Sequence, residues 1–181
     1  MAQDAMMTLT KPVVLVGLMG AGKTTIGRRL AQALAMSFVD SDQEITDAAG
    51  CSISDIFALY GESIFRDLEQ RVLIRLIGDK PCVLATGGGA FMNPLIRSAI
   101  KTHAISVWLK ADLETLVERT SRRDTRPLLK TGDKSDILAR LIEERYPVYG
   151  EADITIDSNA SAHEIVVDRI MQCLKERSPH G

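Results

Sequence analysis

Aromatic residues make up only 4% of the 181-residue chain, too few to tile a face with the stacking platforms that single-stranded nucleic acids need. Neither sign of charge dominates. The 22 basic and 24 acidic side chains leave a net charge of −2, so no global field draws in a polyanion and any such ligand must be held locally. Cysteine is scarce too: Cys51, Cys82 and Cys173 are odd in number and far apart. That supports neither a disulfide framework nor a zinc site and points to a reducing, cytoplasmic setting. No apolar run approaches the roughly 18 residues of a membrane span. The opening MAQDAMMTLTKP carries Asp4 and lacks the apolar segment of a secretory signal. Neither nucleic acid nor membrane is therefore expected as a partner.

What is present is an ordinary globular composition, 45% hydrophobic and 25% charged, in a length that suits one domain able to bury its own core. That domain is expected over 12–176, with tails at 1–11 and 177–181. Strand and helix patterns alternate throughout without repeats or linkers, which predicts one parallel sheet with helices on both faces. The predicted strands are Val13 to Val16, Phe38 to Asp40, the continuously apolar Cys82 to Ala85, Ile105 to Leu109 and Asp153 to Ile156. Helices follow over 26–34, from a Ser41/Glu44 capping box to Gly50, over 54–60 and 62–77 around Gly61, and from Asn93-Pro94. Others are expected from Asp112 to Arg119, over 134–146, and from a Ser161/Glu164 capping box to Lys175. The polar, basic stretch 120–133 exceeds the usual connection and has the length of a functional lid.

Gly17-Leu-Met-Gly20-Ala-Gly22-Lys23-Thr24 fits G-x-x-x-x-G-K-[ST] and lies where its mechanism requires, directly after a buried strand and before a helix. The glycines let backbone N–H groups wrap phosphate oxygens, Lys23 reaches the outer phosphates and the Thr24 hydroxyl can take a place on Mg²⁺. No Asn-Lys-x-Asp guanine reader is present, and the strand from Cys82 ends in Thr86 and glycines rather than a metal-binding Asp. Another acid must serve the metal.

Asp40-Ser41-Asp42, at the carboxyl end of a strand where ligands bind in open α/β sheets, supplies two carboxylates expected on one side. Asp40 could organise Mg²⁺ while Asp42 orients an acceptor hydroxyl or takes its proton; alternatively the three residues only cap a helix. Gly87-Gly88-Gly89 would offer backbone donors to a ligand or form a flexible turn. In the 120–133 stretch Arg126, held by Pro127 and apolar neighbours, is the best arginine to meet the charge of phosphoryl transfer.

Taken in order, GLMGAGKTTIG at 17–27, DSD at 40–42, IFALYGESIFRDLE at 56–69, TGGG at 86–89, RPLL at 126–129 and ERYPVY at 144–149 resemble the shikimate kinases. The resemblance runs from about Val13 to Ala152. It implies a three-layer α/β/α P-loop fold with a five-stranded parallel sheet and a mobile lid, in an enzyme that phosphorylates the 3-hydroxyl of shikimate with ATP and Mg²⁺; a monomer is expected. It further implies Gly20, Ala21, Gly22, Lys23, Thr24, Thr25, Arg119 and Arg126 at ATP, with Arg119 packed on adenine, and Thr24 and Asp40 at the metal. Asp42, Arg66, Gly87, Gly88, Gly89 and Arg145 would receive shikimate, the two arginines clamping its carboxylate; Lys23, Asp42 and Arg126 would be catalytic. Two features depart from the family pattern. Asp157-Ser158-Asn159-Ala160-Ser161 follows the last strand where an arginine is common, and Gly150-Glu151-Ala152-Asp153 is one residue shorter than the usual spacing. A gluconate-type kinase would share the cradle, and a nucleotide-dependent regulatory domain would share it without transfer.

Overall fold

Three apolar runs without alternation have no face that tolerates water, and each forms a strand enclosed by the sheet and its helices: β1 (Val13–Val16), β3 (Cys82–Ala85) and most of β4 (Ile105–Lys110). The structure, a computed structural model, describes residues 7–122, 133–159 and 162–178. With β2 (Ser37–Asp40) and β5 (Ile154–Asp157) these strands make one five-stranded parallel sheet in the order β2-β3-β1-β4-β5. Val13 of the central strand is in register with Val83 on one side and Ile105 on the other.

The helices among the described residues are α1 (Lys23–Leu34), α2 (Ser41–Ala49), α3 (Ile53–Ile77), α4 (Pro94–His103), α5 (Leu113–Ser121), α6 (Lys134–Tyr149) and α7 (His163–Arg177). Gly61, at φ 84° and ψ 172°, interrupts α3, so the two expected helices exist as two arms of one element. Asn93 and Asp112 cap α4 and α5 by accepting from backbone amides, as their positions predict. The expected Ser41/Glu44 box does not form. Asp40 is the cap of α2, its carboxylate accepting from the Asp42 amide, while Ser41 is fully buried and Glu44 pairs with Arg75. At the start of α7 the cap position is Ala162, without a side-chain bond; Ser161 lies outside the described residues. Helix α6 runs on through Pro147 to Tyr149, three residues beyond the expected end.

Within the stretch expected to be an N-terminal tail, Met7 and Leu9 pack against the core. A second, smaller core of Ile45, Ile56, Phe65 and Val72 holds α2 against α3. The chain leaves β1 for the edge at β2, returns to β3, then crosses to β4 on the other side, so the direction of winding reverses around β1. Such a reversal opens a crevice at the carboxyl ends of the strands. The P-loop follows β1 and the glycine triplet follows β3, which places both there.

Candidate active site

Gly17, Gly20 and Gly22 have φ of 150°, 84° and 95°, values that side chains resist. The turn they allow carries the chain from β1 into the N-terminus of α1, which has no acidic residue in its first turn and keeps its positive potential for an anion. Lys23 is nearly buried, with Nζ donating to the carbonyls of Gly17 (2.5 Å) and Leu18 (3.0 Å). Beside the loop lies a cavity of about 280 Å³ lined by Gly20 to Thr25, Arg119, Ser158 and His163, among others.

Arg119 ties this side together. Its guanidinium donates to the carbonyls of Gly20 (3.3 Å) and Ala21 (3.4 Å) in the P-loop and of Ser158 (2.6 Å) and Asn159 (2.7 Å) after β5. The Ser158 hydroxyl, almost fully buried, adds bonds to the carbonyls of Ala21 (3.2 Å) and Lys110 (3.3 Å). The segment where the family pattern would carry an arginine is thus held by a serine and by Arg119. Arg126 and most of the 120–133 stretch lie outside the described residues.

The second cavity, about 630 Å³, is lined by Asp40, Asp42, Phe57, Phe65, Arg66, Glu69, Gly87 to Gly89 and Arg145. It collects residues from β2, α2, α3, the turn after β3, and α6. Thr24 lines both cavities, so they meet at the phosphate loop. Asp40 and Asp42 share this space, though not by strand alternation, because the helix begins between them. Asp40 both caps α2 and lines the cavity: Oδ1 accepts from the Asp42 amide at 2.9 Å and Oδ2 from the Thr24 hydroxyl at 3.3 Å.

Arg66 and Arg145 both reach the glycine triplet. A Cβ on Gly89 would lie 2.6 Å from Arg66 Nη1, and one on Gly88 would lie 3.1 Å from Arg145 Nη1, so glycine is what lets two guanidinium groups stand against this turn. Arg145 is 8% exposed, and its Nη1 has no hydrogen-bond partner. A buried, unmatched guanidinium N–H is costly unless a ligand supplies an acceptor, which suits a carboxylate. Arg66 Nη1 donates to Glu69 Oε1 at 3.0 Å.

Glu69 is a residue that sequence reasoning passed over. It is 1% exposed, with Oε2 unpartnered. Burial pushes its carboxyl above the ordinary 4.5, against the lowering pull of Arg66. Its spacing of three residues from Arg66 on a helix was the available signal. Tyr149, with no exposed surface, was also missed as a site neighbour: its hydroxyl donates to the Gly88 carbonyl.

Among the described residues no three His, Cys, Asp or Glu side chains gather as a metal cluster. The Thr24 hydroxyl and Asp40 carboxylate fit a cation of the Mg²⁺ kind, which keeps several waters and takes few protein ligands plus phosphate oxygens.

A P-loop opening onto one cavity, and a neighbouring pocket with carboxylates and paired arginines at the switch point of a parallel sheet, define a P-loop kinase. The family described as "Shikimate kinase" matches residues 19–175, and the chain belongs to that family. It is 55% identical to the shikimate kinase of Paramagnetospirillum magneticum over 91% of this chain and 84% of that one. It is 52% identical to that of Rhodopseudomonas palustris over 92% of this chain and 82% of that one. The structure of shikimate kinase from Acinetobacter baumannii in complex with shikimate superposes with a TM-score of 0.90 at 40% identity, covering 94% of this chain and 96% of that one. A gluconokinase from Sinorhizobium meliloti reaches a TM-score of 0.65 at 16% identity, covering 94% of each chain, a likeness of fold alone.

Proposed function

We propose that the protein transfers the terminal phosphoryl group of ATP to the 3-hydroxyl of shikimate, giving shikimate 3-phosphate on the route to chorismate and the aromatic amino acids. The observation that carries this reading is the junction of two cavities at Thr24, one beside the anion-binding loop and one lined by the carboxylates of Asp40, Asp42, Glu62 and Glu69 and by the guanidinium groups of Arg66 and Arg145. The P-loop amides and Lys23 hold the phosphates. Lys23 leaves the loop carbonyls for the outer phosphate oxygens, exchanging neutral acceptors for charged ones. Arg66 and Arg145 grip the acid's carboxylate, and Gly88 and Gly89 donate from the backbone. Asp42 orients the 3-hydroxyl and takes its proton as the new oxygen–phosphorus bond forms and the bond to ADP breaks.

Thr24 and Asp40 would hold Mg²⁺, which when bound neutralises charge on the outer phosphates. Arg126 is assigned to stabilise the transferring group, and Arg119 to border the base. Catalysis in this scheme is positioning plus electrostatics. The protein is assigned to act as a monomer in the cytoplasm, the compartment that its few, widely separated cysteines suit.

ADP release measured with Mg²⁺-ATP and shikimate, quinate, gluconate or nucleoside monophosphates tests the reading. Shikimate alone is expected to support turnover, and Asp42→Asn to lower it by about a thousandfold with ATP binding kept. Turnover with another acceptor only would replace the substrate. ATP binding without turnover would favour a regulatory domain.

A further inference from the structure

We propose that Tyr149 is a positioning residue for the acceptor, acting through the Gly88 peptide and beside Arg145. The inference rests on the reading that Gly88, Gly89 and Arg145 receive shikimate.

Every carbonyl of the glycine triplet is committed inside the protein. Those of Gly87 and Gly89 accept from the amides of Ala90 and Met92, each at 3.2 Å, and that of Gly88 accepts from the Tyr149 hydroxyl. The amides of Gly88 and Gly89 donate to none of the described residues. The turn therefore shows its acceptors inward and keeps donors for a ligand. A peptide unit is planar and trans, so its C=O and the following N–H point in opposite directions. Pinning the Gly88 carbonyl on Tyr149 fixes the direction of the Gly89 N–H. Glycine has no side chain to hold that plane, and two glycines in sequence leave it free to rotate.

Tyr149 is suited to be the fixed end. Its ring has no exposed surface and packs against Trp108, Tyr146 and Phe91, with centroids 5.8, 6.1 and 6.3 Å away. Burial pushes its hydroxyl up to about 12, so it stays a neutral donor across any working pH. It also stands beside the guanidinium of Arg145, one turn earlier on α6. A single hydroxyl thus borders two of the groups assigned to shikimate, the Gly88 peptide and Arg145.

Tyr146 is a built-in control: it sits on the same helix, in the same aromatic cluster, and its hydroxyl donates to the Ala111 carbonyl, away from the acceptor cavity. Tyr149→Phe and Tyr146→Phe each remove one buried hydroxyl and leave the ring. Tyr149→Phe is expected to raise KM for shikimate about fivefold, with kcat within about twofold and KM for ATP unchanged. Tyr146→Phe is expected to shift Tm by a similar amount and leave both KM values alone. An unchanged shikimate KM in Tyr149→Phe, or an equal rise in both variants, overturns the proposal. Arg145→Ala separates the two layers of inference. If it leaves shikimate KM unaltered, the assignment of the acceptor site fails; if it raises KM and Tyr149→Phe does not, positioning alone fails. Should Tyr149→Phe not fold, the wild-type Gly89 amide proton is followed by NMR. A downfield shift on adding shikimate is expected, and no shift overturns the proposal.

Discussion

The nucleotide side of this protein is made mainly of backbone from one continuous stretch, 17–25, whereas the acceptor side is made mainly of side chains drawn from β2, α2, α3, the turn after β3, and α6. A phosphate cradle asks for N–H groups at fixed spacing, and a strand, a glycine turn and a helix N-terminus supply them locally. An acceptor with a carboxylate and hydroxyls asks for opposite charges held apart in one pocket, which no single turn can provide. The two sides should therefore break differently. On the first, a change of backbone is fatal to the loop itself; on the second, loss falls on one substrate and spares the other.

Gly17→Ala should have the largest effect. A Cβ there would lie 2.8 Å from the Leu109 carbonyl oxygen at φ 150°, and neither the strand backbone nor the dihedral can yield cheaply. The expected cost is about 3 kcal/mol of stability, with ATP binding lost, read by thermal unfolding and nucleotide titration. Retention of wild-type ATP affinity would mean that the cradle tolerates rearrangement.

Gly89→Ala should fall between the extremes. Its Cβ would meet the Arg66 guanidinium at 2.6 Å, the far end of a flexible side chain, so the fold survives and the arginine moves. Steady-state kinetics should show kcat/KM for shikimate down about tenfold, with KM for ATP unchanged. Equal losses for both substrates would show that the two sides are not separable.

Glu69→Gln should have the smallest effect and a signature in pH. Because burial raises the folded carboxyl above 4.5, its contribution to stability is full below that value and is lost as pH rises through the raised one. Glutamine has no such loss. The variant's Tm should gain on the wild type as pH rises above about 4.5, while shikimate KM rises about threefold as Arg66 loses its charged anchor. A Tm difference that is flat with pH would show that Glu69 ionises as freely as in the unfolded chain.

The contrast also sorts what sequence reasoning could reach. Strand identities, the P-loop, the caps at Asn93 and Asp112 and the break at Gly61 were legible because each depends on neighbours within a few residues. The Ser41/Glu44 box was misread because a strand ending at Asp40 already placed a carboxylate over the first turn, and Glu44 found Arg75 across the fold. Arg66 and Arg145 were nameable only through the family pattern; alone, each reads as a surface arginine. Glu69 carried only its three-residue spacing from Arg66 and Tyr149 no local mark at all, since what matters is that one is buried against Arg66 and the other under Gly88.

By itself, then, the order of residues decided the parallel α/β class and the phosphate cradle, because glycine dihedrals, β-branched runs and capping side chains act over distances shorter than one turn or strand. Only the tertiary structure decided the acceptor pocket, because the strand order β2-β3-β1-β4-β5 brings together segments as far apart as Asp40 and Arg145. Burial there, rather than spacing, sets which charges are paired, which are left for a ligand, and how readily each ionises.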